Sequence, residues 1–144
     1  TPLLQNRNKK GKEMFNHIMV GSNDIERSAV FYNAVLGVLG AGEPLRHRSA
    51  SGRMRLFYRH DGSTFCVCEP NNGEPATSAN GATVGFKCDS PEQVHAFHDT
   101  AVAAGGTSIE EPPGLRSNDL GQLYLAYVRD LDGNKLCAIH RPKK

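Results

Sequence analysis

The side chains able to hold a metal or move a proton fall into a few groups in this chain of 144 residues. Glu92, His95 and His98 stand three apart, a spacing that brings ligands onto one face of a helix. No matching pair on a second helix accompanies them, so a solvated helix face is the expected role. Asp130, Asp132 and Asn134 resemble the opening of a calcium loop, but Gly133 comes too early and no late glutamate follows. A hairpin turn explains them better. Cys66 and Cys68 are two apart, which on a strand turns both to one face. Cys-x-x-Cys spacing is absent, so neither a zinc ribbon nor a secreted disulfide framework is indicated. The sequence also lacks a Gly-x-Ser-x-Gly elbow and a phosphate-binding glycine loop.

The bulk of the chain limits what such groups can serve. Its length suits one domain, and a net charge of +2 leaves it close to neutral. The basic runs Arg7 to Lys12 and His140 to Lys144 sit at the ends and read as solvated tails. A nucleic-acid partner would need a basic face interleaved with aromatics, and none is visible. No apolar run approaches the roughly 20 residues of a membrane-spanning helix. Unpaired cysteines point to a reducing, cytoplasmic setting. Residues 1–13 are polar and aperiodic and read as an extension ahead of the folded part, with Met14 a natural start.

The elements that must position these groups occur twice. His17-Ile18-Met19-Val20 through Phe31-Tyr32 has a counterpart in Thr83-Val84-Gly85-Phe86 through Phe97-His98. Asp61-Gly62-Ser63-Thr64-Phe65-Cys66-Val67 returns as Asp132-Gly133-Asn134-Lys135-Leu136-Cys137-Ala138. Each half reads as a strand, a helix and further strands: the first strand covers 15–21, then 82–88. Asn23 and Glu26 have capping-box spacing, with Ile25, Ala29, Tyr32, Val35 and Leu36 as the buried stripe and Gly37 as the stop. Ser90-Pro91 opens the second helix, whose stripe is Val94, Phe97, Ala101 and Val102 before Gly105-Gly106. Strands follow at 54–59 and 64–69, and at 123–129 and 135–140, each pair joined through Asp-Gly. Weaker strand signals lie at 45–49 and 107–110. The Pro- and Gly-rich segments 70–81 and 110–121 read as loops, the second a candidate lid. Module one thus covers 14–70, a linker 71–81 and module two 82–141. The fold class is α+β, with tandem βαβββ modules packed about a pseudo-twofold because neither buries its apolar face alone.

Over residues 14–141 the chain resembles the vicinal oxygen chelate superfamily of glyoxalases, bleomycin-resistance proteins and extradiol dioxygenases. The resemblance rests on His17-Ile18-Met19-Val20 with Asp24 and Phe31-Tyr32. It rests equally on Tyr127-Val128-Arg129-Asp130-Leu131-Asp132-Gly133-Asn134-Lys135-Leu136. It implies a curved eight-stranded mixed sheet around one cavity, a small-molecule ligand, and homodimers, which are frequent in such proteins. It also implies a divalent metal held from the first and last strands of each module. Those positions here are His17, Thr83, Cys66 and Cys137. His17 alone matches the usual ligand set, and no carboxylate stands at any of the four. Glu69 is near the end of its strand but out of register.

Two readings of the set stay open. In one, His17, Cys66 and Cys137 form a soft site suited to zinc, completed by Thr83 or water. In the other, which is preferred, the site holds no metal and the cysteines serve as small buried apolar groups. The resemblance accordingly implies a glyoxalase-like lyase or isomerase of a small oxygenated metabolite, with His17 as ligand or general base, and as the alternative a metal-free binding protein of the bleomycin-resistance kind. Arg55, Tyr58, Tyr124, Tyr127 and Arg116 are the candidate ligand-binding residues, with His47 and Arg53 from neighbouring segments. Arg55 and Arg116 are suited to hold an anionic group by paired hydrogen bonds, or else to pair with Glu110, Glu111 or Asp119. Strand alternation turns half of the strand residues away from the cavity.

Overall fold

In the computed structural model of the chain, residues 13–142 are described. Eight strands and two helices follow the duplicated order: β1 (Ile18–Gly21), α1 (Ile25–Gly37), β2 (Leu45–Arg48), β3 (Met54–His60), β4 (Ser63–Cys68), β5 (Val84–Lys87), α2 (Pro91–Ala103), β6 (Thr107–Asn118), β7 (Gly121–Arg129) and β8 (Lys135–His140). The strands fall into two four-stranded sheets, ordered β1-β4-β3-β2 and β5-β8-β7-β6. In each, the first strand runs parallel to the last while the other pairs are antiparallel, so both sheets are mixed. Neither sheet closes, and β1 and β5 are each hydrogen-bonded on one side only. The extension expected over residues 1–13 lies, apart from Glu13, outside the described residues. No helix among the described residues is long and apolar enough to cross a membrane.

Local chemistry sets most element ends. Ser90 caps α2 by accepting from the Gln93 amide at 3.1 Å, and Pro91 occupies the first helical position where no amide is needed. In α1 the cap is Asp24, whose Oδ1 accepts from the Arg27 amide at 3.2 Å. The capping role expected of Asn23 is therefore corrected: its side chain bridges to the Ala76 backbone instead, accepting at 2.7 Å and donating at 3.3 Å. Asp61 and Gly62 take φ of 49° and 81°, the left-handed pair that a two-residue hairpin requires between β3 and β4. The second Asp-Gly does not repeat this turn. There Asp130 Oδ1 accepts from the amides of Asp132 and Asn134, both at 2.9 Å, and its side chain shapes a longer loop.

The segment 110–121 is not a loop. Thr107–Asn118 is one strand interrupted by an irregularity between Ile109 and Gly114, where Glu110 takes φ 59°. Pro112 and Pro113 are tolerated because β6 is an edge strand and the bulge absorbs their missing amides.

One core serves both modules. Phe31, Tyr32, Val35, Leu56, Phe65, Val67, Val94, Phe97, Val128 and Leu136 are buried within one cluster. Aromatic contacts carry it across the module boundary: Tyr32 to Phe65 at 5.0 Å, Phe65 to Phe86 at 5.2 Å and Phe86 to Phe97 at 5.4 Å between centroids. The helices lie against each other and against their own sheets, while the two sheets touch only through side chains such as Phe65 and Phe86 and share no backbone pairing. The modules thus meet through their helix-bearing faces, and each sheet turns its second face outward. Val102, assigned to the buried stripe of α2, is 42% exposed and lies outside the core.

Candidate functional site

Register identifies the outward residues of each sheet. On β4, Phe65 and Val67 enter the core, so Thr64, Cys66 and Cys68 turn the other way. Cys66 pairs with Met19 on one side and Phe57 on the other, and Phe57 with Leu45. Cys68 pairs with Gly21 and Arg55, and Arg55 with His47. The outer face of the first sheet therefore carries an apolar and thiol row, Met19-Cys66-Phe57-Leu45, beside a polar row, Cys68-Arg55-His47. Arg59, paired with Thr64, lies on its far side. Arg55 Nη2 donates to His47 Nδ1 at 2.9 Å, and its guanidinium lies 5.6 Å from the Phe57 ring centroid.

On the second sheet Cys137 pairs with Gly85 and Tyr127, and Tyr127 with Ile109. Lys135 lies 4.6 Å from the Tyr127 ring centroid and forms an ion pair with Glu110. Arg116, on the same face, donates to the carbonyls of Glu111 and Pro112 at 3.3 and 2.9 Å, tying down the bulged segment. It pairs with none of the three carboxylates considered for it, and neither does Arg55.

Of the candidate ligand-binding residues, Arg55, Arg116 and Tyr127 face outward, whereas Tyr58 and Tyr124 face the helices. The hydroxyl of Tyr58 donates to Asn33 Oδ1 at 2.8 Å, and that of Tyr124 lies 2.7 Å from His95 Nε2. Alternation excludes both from the outer faces, because each is one residue out of phase with the outward set. His98 likewise bonds Ser108 Oγ at 2.8 Å. The helix face expected to be solvated is exposed at Glu92 and His95, and its two histidines also tie α2 to its sheet.

The proposed metal set is not assembled within one chain. His17 precedes β1, is exposed, and its Nδ1 contacts Asn16 Oδ1 at 2.8 Å. Cys66 and Cys137 are buried on the outer faces of different sheets, which point away from the shared core. Among the described residues no group of three His, Cys, Asp or Glu side chains is placed to hold a metal. Burial raises the thiol pKa of Cys66, with Cys68 adding to it and Arg59 and Arg55 opposing. Burial also raises that of Cys137, against the hydrogen bond from Tyr127 and the charge of Lys135. Glu69 does not supply the missing carboxylate: its Oε1 accepts from the Met54 amide at 2.6 Å.

Clefts among the described residues lie elsewhere, and three of them are large enough to describe. One of about 440 Å³ opens between the β1 and β5 margins, lined by Ile18, Tyr58, Phe65, Val84 and Phe86. A second of about 570 Å³ runs along Lys87 to Asp89 and Ile139 to Arg141, and a third of about 350 Å³ contains His17, Ser63 and Thr64. None of the three is lined by Arg55, Cys66, Arg116, Tyr127 or Cys137. Sequence reasoning missed Phe57, whose exclusion from the core only the pairing register reveals.

Two βαβββ modules with a shared core and outward sheet faces define a class that comparison with known proteins names. The chain belongs to the Glyoxalase/Bleomycin resistance protein/Dioxygenase superfamily, whose family model matches residues 14–138. A glyoxalase/bleomycin resistance protein from Albidiferax ferrireducens T118 is 53% identical with a TM-score of 0.83, over 90% of this chain and 100% of that one. A glyoxylase/bleomycin resistance protein/dioxygenase domain from Frankia sp. EAN1pec shares the fold at 16% identity and TM-score 0.68, over 91% and 93%. FosX, a fosfomycin resistance protein from Listeria monocytogenes, does so at 18% and 0.61, over 86% of each chain. No curated protein matches the sequence.

Proposed function

We propose that this protein binds a small organic molecule against the outer faces of its sheets, and that a second copy of the chain closes the cavity. The observation that carries this is the pair of open margins, β1 and β5, beside outer faces that hold half-buried polar and aromatic groups. Ile18 and Met19 on β1 are 40% and 38% exposed, and an unpaired apolar edge is a surface that proteins normally cover. Joining β1 of one copy to β5 of the other gives a homodimer with a curved eight-stranded sheet. It also sets His17 and Cys66 of one copy opposite Thr83 and Cys137 of the next. Four unpaired cysteines among the described residues fit a reducing, cytoplasmic setting.

Binding without turnover is the reading the donor set favours. No carboxylate stands at His17, Thr83, Cys66 or Cys137, so nothing there offers the oxygen-rich site and mobile base of a glyoxalase mechanism. A lyase or isomerase remains the second reading, supported by the exposed imidazole of His17 at the start of β1. Light scattering and metal analysis of tag-free protein test both. The expected result is a dimer that Met19→Lys converts to monomer, with less than one zinc per chain. Stoichiometric zinc lost in His17→Ala and Cys137→Ser, with turnover of a glyoxalase-type substrate, would overturn binding in favour of the lyase. A wild-type monomer would sink the shared cavity.

A further inference from the structure

The first sheet's outer face contains a cationic group that the fold itself leaves without a counter-ion. Arg55 is half-buried between His47 and Cys68 in the pairing register, and its Nε–H is enclosed without any acceptor. A guanidinium can only donate, so His47 accepts from Arg55 Nη2 through an unprotonated Nδ1, at 2.9 Å. That fixes the tautomer, and His47 is left with Nε2–H as a further donor. Arg59 stands on the same face, and neither arginine forms an ion pair among the described residues. By contrast Arg46 is spent on Glu26, Lys135 on Glu110, and Arg116 on two backbone carbonyls. His47 and the Phe57 ring hold Arg55 in place, but neither neutralises it, and keeping a half-buried charge without a counter-ion costs stability.

Resting on the small-molecule reading above, we infer that Arg55 and His47 form the anion-recognising end of the site, and that the ligand is a small organic acid. Its charged group takes the free guanidinium nitrogen and His47 Nε2–H. Its flat apolar body lies along Phe57 and Met19, the accessible members of the row beside the polar one, with Cys66 buried beneath them. Arg59 closes the far end of that row. Carboxylate and phosphonate heads present the same accepting oxygens, and Arg favours either through paired hydrogen bonds.

Titration calorimetry on the intact protein tests the assignment with benzoate, phenylphosphonate and the neutral analogue benzyl alcohol. The expected result is saturable binding of at least one acid, weakened tenfold or more in Arg55→Gln, and less in Arg59→Gln. Benzyl alcohol is expected to bind at least tenfold more weakly than that acid. Arg55→Lys, which keeps the charge but loses the fork, should recover part of the affinity and guards against a folding defect in Arg55→Gln. Benzyl alcohol binding as tightly as the acids, with Arg55→Gln harmless, would overturn the anion assignment while leaving the small-molecule reading standing. Absence of binding by every probe would overturn the assignment too, with the dimer test deciding the shared cavity separately.

Discussion

The hydroxyl of Tyr32 donates to Oδ2 of Asp130 over 2.5 Å, joining α1 of the first module to the turn between β7 and β8 of the second. The same carboxylate accepts from Asn134 Nδ2 at 2.9 Å, and Asn134 also donates to the Gly21 carbonyl at 3.0 Å. Asp132 extends the junction by accepting from the Asn23 amide at 2.8 Å. A buried carboxylate is tolerated here because four donors surround it.

Tyr32→Phe removes one of those donors while keeping the ring in the aromatic core. Its expected cost is about 1–3 kcal/mol in urea unfolding, the usual penalty for a buried acceptor that loses a partner. Asp130→Ala should cost more, since it strands the Tyr32 hydroxyl and two backbone amides at once. Equal stability of Tyr32→Phe and wild type would mean that the junction is held by apolar packing alone.

Gly106, between α2 and β6, sits tightly against the backbone of both α2 and β7. A Cβ there would lie 2.8 Å from the carbonyl oxygens of both Ala101 and Arg129, and 3.0 Å from the Phe31 ring. Gly106→Ala should therefore lower the unfolding free energy by about 1–3 kcal/mol, the range for overpacking a core. Gly37→Ala, at the end of α1 with nothing within 4 Å, should be neutral or slightly stabilising in the same assay.

Alkaline pH should destabilise the fold well before its lysines titrate. Burial pushes the Cys88 thiol up to about 11, partly offset by a backbone hydrogen bond from Ile139. Burial and then Asp130 raise the Tyr32 hydroxyl well above its ordinary range. Unfolded cysteine titrates near ~8.5. Between that value and the folded one, the unfolded chain releases a proton that the native chain keeps. Stability is thus fully present below the unfolded value and falls as pH rises through the folded one. Thermal midpoints at pH 7.5 and pH 10 should show this loss, with Cys88→Ala reducing the slope. A slope that Cys88→Ala leaves unchanged would assign the loss to Tyr32 and the other buried groups.

The homodimer proposed above is tested at the open β1 margin. Met19→Lys places a charge on the exposed β1 edge and should yield monomers by light scattering. Loss of small-molecule binding in that same variant would tie the cavity to the second copy.

Much of the fold was legible because its causes are local. Ser90-Pro91, Asp61-Gly62 and the helical stripes apart from Val102 act within a few residues of themselves, and each does so where the sequence placed it, whereas the left-handed glycine that follows α1 is Gly40 and not Gly37. Asn23 and Asp132 defied the same reasoning because the Asn23 side chain bonds Ala76 in the linker and Asp132 bonds the Asn23 amide across the modules, so both answer to partners remote in sequence. The strand through Pro112 and Pro113 was hidden for a related reason: only an edge position makes prolines acceptable in a ladder, and edges are a property of the sheet.

The sequence by itself determined the duplication, the βαβββ order and the superfamily, since periodicity, caps and turns are written in neighbouring residues. It also determined that the four positions at which the resemblance implies ligands, His17, Thr83, Cys66 and Cys137, carry no carboxylate. The tertiary structure alone decided which way each side chain turns. Tyr58 and Tyr124 enter the helix side, Arg55, Phe57, Tyr127 and Arg116 turn outward, and Cys66 and Cys137 come to lie on separate sheets. The physical reason is that a strand has two faces of equal local propensity, and which is buried depends on the helices and the second module that pack against it.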